Sequence, residues 1–538
     1  MKFVLCLLSR AATLLLLVTL PSGCTKKAKA AGRLDAAKEY FAKADDASAE
    51  IEFKNVLKLE PGHPQALKGL GLVWVRQGAM LEGGRILSAA KSKLPADDQI
   101  GVNLALALLD LGFFADGRKE ILEVLDRTPA HGEALMLLAE TSLTPKAMTE
   151  CEERITRAKA GDKAPALLAS ALIELRRGRI DAGTHTLERV LELAPKTARA
   201  LALQATIHRV NKQPEKALEP MKKASDLAGP RSSERGTYAK LLTELGRRDD
   251  AAALLKEATR AAPDYLPNWR LLAQLAFDGG KDAEAAAHLS KVLEKSPLDI
   301  EAGLLQAQLW IRGKEPAKAV ELLEKLDATF PSRPQFEIAL GKAYLAADDS
   351  PKATTALDRA LTLVPGQPEA TLLRSSLYLK DGRPGEAIRL VEPVFVSEPN
   401  NRMAQNLLVA AYSATNRLDE AAAILRQQSA ASPKDDDLQL RLGQLLRAQG
   451  KATEARAIFE NLLQHSPDLI GAVIQLVTLD EHEGKGAEAL ARIDTYLKAH
   501  SESPQAHLFK AQLSYTRKDF KAAEAEAVKS IELQPDNT

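Results

Sequence analysis

Small and large apolar side chains recur along this chain with a period of 34 residues. Two helices approach closely only where one of them has almost no side chain, so paired small residues predict one helical hairpin in each unit. Large side chains stand beside the small ones at positions 7, 11 and 24 of the unit, as in Leu70, Trp74 and Leu87. A small residue occupies position 20 of fifteen units: Ala49, Gly83, Gly117, Cys151, Gly183, Ala217, Ala251, Ala285, Ala319, Ala353, Ala387, Ala421, Ala455, Ala489 and Ala523.

Proline marks the end of most units and keeps the same register. Proline cannot continue a helix, so it predicts where the second helix of each unit ends. Successive members of the series are 34 or 68 residues apart, except for one interval of 66 residues between 129 and 195. This interval is two residues shorter than two full units, and we place the deletion in the turn at 161–163. We therefore expect a local kink there. The series is Pro61, Pro95, Pro129, Pro195, Pro263, Pro297, Pro331, Pro365, Pro399, Pro433, Pro467 and Pro535.

The period and the small and large positions together resemble the tetratricopeptide repeat (TPR). A single hairpin cannot bury its apolar face, so neighbouring units must stack. The resemblance implies an all-α solenoid, a right-handed superhelix of about 15 helix-turn-helix repeats. We expect repeats 1–4 over residues 30–163 and repeats 5–15 over residues 164–538.

The N-terminus has the pattern of a targeting segment. Lys2 and Arg10 precede an apolar run of ten residues at 11–20, which is shorter than a membrane span and typical of a signal peptide. The run ends in Leu20-Pro21-Ser22-Gly23-Cys24, which resembles a bacterial lipobox. We therefore expect a signal peptide over 1–24, lipidation of Cys24 and a short tether over 25–32.

Two other interpretations of this segment stay open. The lipobox pattern calls for an aliphatic residue three places before the cysteine, and Pro21 stands there instead. The segment is also compatible with a secretory signal cut near residues 28–30, or with an uncleaved anchor. The resemblance to lipoproteins implies an envelope location facing the periplasm, and Thr25 after the cysteine favours the outer membrane.

The first units also resemble a narrower family. The stretch Phe53-Lys54-Asn55-Val56-Leu57 lies shortly before Pro61 in the first unit of the long array, and the lipobox-like end precedes that array. This combination is similar to the TPR-repeat lipoproteins of PEP-CTERM and exosortase exopolysaccharide systems. The resemblance implies a role in exopolysaccharide export.

Composition and motifs exclude several other classes of protein. Lys plus Arg is 73 and Asp plus Glu is 72, so the net charge of +1 argues against nucleic-acid binding. The sequence has no P-loop, no Gly-x-Ser-x-Gly, no His-Glu-x-x-His and no zinc-type Cys pair. We expect no enzyme, no catalytic or metal site and no cofactor. Glu481-His482-Glu483 and Asp435-Asp436-Asp437 are predicted to be solvated helix-end charges, and Cys151 a packed thiol.

By the same resemblance, positions 2, 5, 9 and 12 of the first helix of each unit line a concave groove. These positions are apolar in the early units and basic in the middle ones. The apolar set could instead pack in the core, and the basic set could be an ordinary solvated face. The candidate groove residues are Leu72, Val75, Val102, Leu106, Leu109, Leu168, Leu172, Arg199, Arg209, Lys240 and Arg270.

The sequence therefore predicts an envelope-anchored scaffold that binds other proteins or peptides, in exopolysaccharide or protein export. The alternative is a soluble exported or cytoplasmic adaptor with no role in export. The two differ in whether the intact protein fractionates with membranes.

Overall fold

The computed structural model describes residues 22–158 and 163–534, with side chains from residue 26 onward. Over these residues the chain forms thirty α-helices and no strand. They are α1 Ser22–Ala42, α2 Asp46–Leu59, α3 Pro64–Gln77, α4 Met80–Lys91, α5 Asp98–Asp110, α6 Phe114–Arg127, α7 Gly132–Thr141, α8 Pro145–Arg157, α9 Ala164–Arg176, α10 Ile180–Leu193, α11 Ala198–Val210, α12 Pro214–Ala228, α13 Ser233–Glu244, α14 Arg248–Ala261, α15 Leu266–Asp278, α16 Asp282–Lys295, α17 Ile300–Arg312, α18 Pro316–Thr329, α19 Pro334–Ala346, α20 Ser350–Leu363, α21 Pro368–Lys380, α22 Pro384–Ser397, α23 Arg402–Ala414, α24 Leu418–Ala431, α25 Asp436–Ala448, α26 Ala452–His465, α27 Ile470–His482, α28 Gly486–Ala499, α29 Pro504–Thr516 and α30 Phe520–Leu533.

Each odd-numbered helix pairs with the helix that follows it, so α1 and α2 form repeat 1 and α29 and α30 form repeat 15. The helices divide into two compact units, one ending at Thr329 and the other beginning at Phe330. The first compact unit holds α1–α18 and the second holds α19–α30. The predicted all-helical repeat fold is confirmed.

The predicted N-terminal segment and the predicted turn at 161–163 lie at the edges of the described residues. Helix α1 begins at Ser22, so residues 25–32, the predicted tether, lie within this helix. Its residues 26–29 are exposed, whereas Ala30 is buried against repeat 1. The predicted signal segment, apart from its last residues, lies outside the described residues, and so does most of the turn at 161–163.

The small positions allow the two helices of a hairpin to touch. A Cβ atom added to Gly71 on α3 would lie 2.7 Å from the Leu87 side chain on α4. A Cβ on Gly83 of α4 would lie 2.8 Å from the side chain of Val75 on α3. Real Cβ atoms do not come this close, so small residues at position 8 of the unit, here Gly71, and at position 20, here Gly83, allow the helices to touch. The same packing recurs in the second compact unit, where Gly443 faces the Phe459 ring.

Candidate binding cavity in the first compact unit

Repeats 7 and 8 come back into contact with repeats 1 and 2 inside the first compact unit. Stacked repeats normally touch only their neighbours, but here hydrogen bonds join residues 185 to 245 positions apart. We call this contact the clasp. It consists of Asp46, Glu50, Arg76, Gln77 and Glu82 on one side and Arg231, Asp264, Lys295 and Ser296 on the other.

Asp46 lies at the centre of the clasp. Its side chain is fully buried in the first turn of α2 and forms ion pairs with Arg76 of α3 and Arg231. Arg231 belongs to the turn between repeats 6 and 7, and its Nη1 donates to Asp46 Oδ2 at 3.0 Å. Arg231 also pairs with Asp264, where Nη2 lies 2.8 Å from Oδ1. One buried carboxylate thus ties the chain's first helices to two later turns.

Glu50 extends the clasp along α2. Gln77 Nε2 lies 3.3 Å from Glu50 Oε2 and 3.2 Å from Asp264 Oδ2, so it donates to both sides of the contact. Lys295, the last residue of α16, forms an ion pair with Glu50, and so does Lys54. Burial alone would raise the pKa of Glu50, but the hydrogen bonds from Lys295 and Lys54 lower that pKa to about 2.

A small apolar contact accompanies these charges. Gly78 ends α3 in the left-handed conformation at φ 81°, and a Cβ there would lie 2.5 Å from Pro267 Cδ. Ala79 is fully buried and belongs to the hydrophobic cluster that Leu266 and Ala273 of repeat 8 form. The missing side chain at Gly78 lets repeat 8 approach repeat 2.

The closed contact leaves a cavity of about 660 Å³ inside the first compact unit. Its lining comes mainly from the first helices of repeats 1–3 and 6–9. Repeats 1–3 supply most of its apolar residues, and the turn before repeat 7 and repeats 6–9 supply most of its charges. The apolar lining residues include Phe41, Leu72, Val75, Met80 and Leu106, and the charged ones are Arg76, Asp110, Arg199, Arg231, Lys240, Arg270 and Glu301.

The cations of the cavity differ in whether they already have partners. Arg76 and Arg231 are held by the clasp carboxylates. Arg270 lies 3.4 Å from both Asp299 and Glu301. Arg199 and Lys240 are exposed to solvent and form no ion pair or hydrogen bond with any described residue, although the charge of Arg199 acts to lower the pKa of Glu140. These two cations are therefore the ones that remain available to an anionic ligand.

The groups around Arg270 are shielded from bulk water. Burial would lower the pKa of Arg270, but the charges of Asp299 and Glu301 raise it. Burial raises the pKa of Asp110 and of Asp299, against the effect of Arg270. Burial also raises the pKa of Tyr265 to about 12. A charge brought into this part of the cavity would be screened less than one at an open surface.

Asn268 presents an unused hydrogen-bond acceptor at the cavity wall. Its side chain is fully buried, and Nδ2 donates to the carbonyl oxygen of Pro230 at 3.0 Å. Its Oδ1 has no hydrogen-bond partner within the described part of the chain. A buried polar atom without a partner is costly, so this oxygen favours a donor arriving from the cavity.

Six of the eleven candidate groove residues line the cavity: Leu72, Val75, Leu106, Arg199, Lys240 and Arg270. Val102 and Leu168 are not among the cavity-lining residues, and they are 1% and 3% exposed within one hydrophobic cluster. Leu109 and Leu172 pack against that same cluster. Arg209 lies outside the cavity lining and pairs with Glu244 at 2.9 Å. Sequence reasoning missed Phe41, Asn268 and the clasp, since their partners are distant in the sequence.

The other side chains considered for chemistry have structural partners. Cys151 is fully buried, and burial raises the pKa of its thiol to about 11, so the thiolate is disfavoured. Glu483 pairs with Arg456 and Lys485, and Asp435 caps the N-terminus of α25. Among the described residues, His, Cys, Asp and Glu form no group able to hold a metal ion. None of the described helices is long and apolar enough to span a bilayer.

Comparisons with known proteins identify the class of these repeats. Sequence patterns of the tetratricopeptide repeat family match residues 242–309, 378–445 and 446–513, and a second such pattern matches 102–150 and 338–393. A pattern of anaphase-promoting complex subunit 3 matches residues 177–258. The chain is thus a tetratricopeptide repeat protein, whose class generally mediates protein–protein interactions and is typically non-catalytic. No curated protein matches it significantly.

Solved structures resemble this chain at low identity. Yeast Tom70 has a TM-score of 0.40 and 15% identity, with 75% of this chain and 99% of Tom70 covered. A tetratricopeptide repeat protein from Parabacteroides merdae has a TM-score of 0.39 and 16% identity, with 46% of this chain and 98% of that one covered. A chain of the APC/C hetero-tetramer Cut9–Hcn1 has a TM-score of 0.34 and 16% identity, with 93% of this chain and 93% of that one covered.

The buried carboxylate of Asp46 leads to a prediction on stability. Asp46→Ala leaves Arg76 and Arg231 without their shared partner, so the free energy of unfolding should fall by about 2–4 kcal/mol. Urea unfolding measures this change. The control is Asp126→Ala, which removes the 64% exposed partner of Arg154 and should cost at most about 1 kcal/mol. Equal losses in the two variants would contradict a central role for Asp46.

The lowered pKa of Glu50 predicts how stability depends on pH. Because the folded pKa is about 2 and the usual value is 4.5, the contribution is complete above pH 4.5 and is lost as pH falls towards 2. The loss is on the order of 3 kcal/mol. Urea unfolding between pH 6 and 3 should show a flatter profile for Glu50→Gln than for the wild type. Parallel profiles would show that Glu50 contributes none of the acid sensitivity.

Proposed function

We propose that this protein is an envelope-anchored scaffold that binds a segment of another protein in the cavity of its first compact unit. We propose further that it serves in the export of exopolysaccharide or protein. The observation that carries the binding role is the clasp, because it brings apolar and charged residues of distant repeats together around one half-open cavity.

The dimensions and composition of the cavity favour a peptide segment. Its volume of about 660 Å³ falls within the range of ligand sites, which is roughly 300–1,000 Å³. A segment offers apolar side chains, charges and backbone hydrogen-bond groups together, and this cavity has counterparts for all three. Leu72 and Leu106 are apolar, Arg199 and Lys240 are available cations, and Asn268 holds a free acceptor.

The anchoring role rests on the N-terminal sequence. The ten-residue apolar run and Cys24 support a lipoprotein signal, and several acyl chains on one cysteine would hold the protein stably at a membrane. Helix α1 begins at Ser22, so an anchor at Cys24 would attach directly to repeat 1. The cavity would then lie in the compact unit that carries the anchor.

A soluble exported or cytoplasmic adaptor is the second candidate function. Pro21 at the lipobox position that calls for an aliphatic residue favours it. The two candidates share the binding cavity and differ only in the anchor, so fractionation of the intact protein distinguishes them.

Lipidation gives a direct test of the anchor. The wild-type chain, expressed in a double-membraned bacterium with labelled palmitate, should incorporate the label and sediment with membranes. Cys24→Ala should lose both properties, because the acylated thiol is gone. A Cys24→Ala protein that remains labelled and membrane-bound would contradict the lipoprotein proposal, and an unlabelled soluble wild type would favour the adaptor.

The binding role is tested by filling the cavity. Thr237 on α13 lines the cavity, is exposed, and its hydroxyl donates only to the carbonyl of Ser233 in its own helix. Thr237→Trp should therefore block the site without disturbing the core. Thr206 on α11 is an exposed threonine with the same kind of bond, to Ala202, and lies outside the cavity lining, so Thr206→Trp is the matched control.

Cross-linked capture from envelope fractions provides the readout. A protein captured by the wild type and by Thr206→Trp should be recovered at least tenfold less with Thr237→Trp. Thermal unfolding of both variants checks that the fold is intact. Equal capture by all three proteins would show that the cavity is not the binding site.

A further inference from the structure

We infer that the segment held in the cavity carries a carboxylate beside a bulky apolar side chain. This inference rests on the proposed function and names the chemistry that the cavity selects. Arg199 and Lys240 meet the carboxylate, and the apolar residues of repeats 1–3 meet the neighbouring side chain.

The charges argue for a carboxylate on the ligand. Arg76 and Arg231 form ion pairs with carboxylates of the clasp, and Arg270 pairs with Asp299 and Glu301. Arg199 and Lys240 are therefore the available cations among the described lining residues. Both come from first helices of neighbouring repeats, α11 and α13. Hydrogen bonds between a guanidinium or ammonium and a carboxylate are about twice as strong as neutral ones.

The same lining disfavours a polyanion. Asp110 and Glu301 also line the cavity. Glu301 pairs with Arg270, and the charge of the same arginine acts on Asp110. An anionic polysaccharide or a nucleic acid would place repeated charges near these carboxylates and would be repelled. A protein segment can instead carry a single acid followed by an uncharged side chain.

Most of the apolar lining comes from α1, α3, α4 and α5, and Pro267 and Leu271 of α15 add to it. Leu72 and Val75 are 5% and 4% exposed, and the half-buried Leu106 lies beside them. Met80 at the start of α4 adds a flexible side chain that can adapt to different shapes. The clasp brings these residues of repeats 2 and 3 into one site with Arg199 and Lys240 of repeats 6 and 7.

The buried acceptor of Asn268 supports a peptide rather than an acyl carboxylate. A fatty acid has a carboxylate and an apolar chain but no hydrogen-bond donor for Asn268 Oδ1. A peptide backbone supplies N–H groups along its length. An extended segment can therefore satisfy Asn268 as well as the two available cations.

The test measures fluorescence polarisation of a fluorescein-labelled, C-terminally amidated heptapeptide, in which one central Asp is flanked by Leu and the outer positions are Ser, with the full-length protein. Arg199→Glu and Lys240→Glu should each weaken binding tenfold or more, because each replaces an attraction by a repulsion. The control is Arg209→Glu, since Arg209 lies on the same helix as Arg199 but outside the cavity lining. It should change the affinity less than twofold.

A second peptide separates the inference from the proposed function. The Leu and Asn version of the heptapeptide keeps size and apolar content but lacks the charge, and it should bind at least tenfold more weakly. If both peptides bind equally and Thr237→Trp abolishes both, the cavity binds segments but does not select acids, and the inference fails alone. If neither peptide binds, both the inference and segment binding in this cavity are contradicted.

Two competition outcomes would also overturn the inference. Displacement of the Leu and Asp peptide by dodecanoate at equal concentration would show that an acyl carboxylate suffices. Tighter binding of oligomannuronate than of the peptide would assign the site to an anionic sugar. A Lys240→Glu protein that gains affinity for the Leu and Lys heptapeptide would support the inference, because the reversed charge then selects the opposite side chain.

Discussion

Asp46 places a fully buried carboxylate where four repeats of the first compact unit meet. It pairs with both Arg76 and Arg231, and a buried carboxylate without such partners would be costly. Arg231 in turn needs Asp264, which Gln77 also contacts. These groups satisfy one another only when repeats 7 and 8 lie against repeats 1 and 2. The cavity depends on this contact, because the contact brings the apolar residues of repeats 1–3 together with the charged residues of repeats 6–9.

Packing between neighbouring repeats joins helices that are close in sequence, whereas the clasp joins helices that are far apart in sequence. Small residues at positions 8 and 20 let each hairpin pack, and their stabilisation adds up repeat by repeat along the array. The clasp joins helices that are far apart in sequence and so links the stability of the first repeats to that of the seventh and eighth. It is mostly polar, like a transient interface between domains. A ligand that spans the cavity would favour the closed state by contacting both sides.

The sequence predicted the helical repeat fold because each unit carries its own local signals. Gly71 and Gly83 identify a close helix contact without reference to any other repeat. The structure brings some of the candidate groove residues into the cavity and leaves others outside it. Leu72 and Leu106 line the cavity, but Val102 occupies the same kind of position and lies in the core, because the packing of its neighbours decides which side remains open. The repeat period predicts which face of its helix a residue occupies, but it does not predict which other helix packs against that face.

The clasp could not be predicted from the sequence for a related reason. Asp46 in the first turn of a helix is an ordinary acidic residue at the positive end of the helix dipole, and nothing local marks it as buried. Its partner Arg231 stands in a turn 185 residues later. The apolar early repeats and the basic middle repeats were visible as separate stretches. Superhelical closure brings these two stretches into one site, and closure depends on small rotations summed over many repeats.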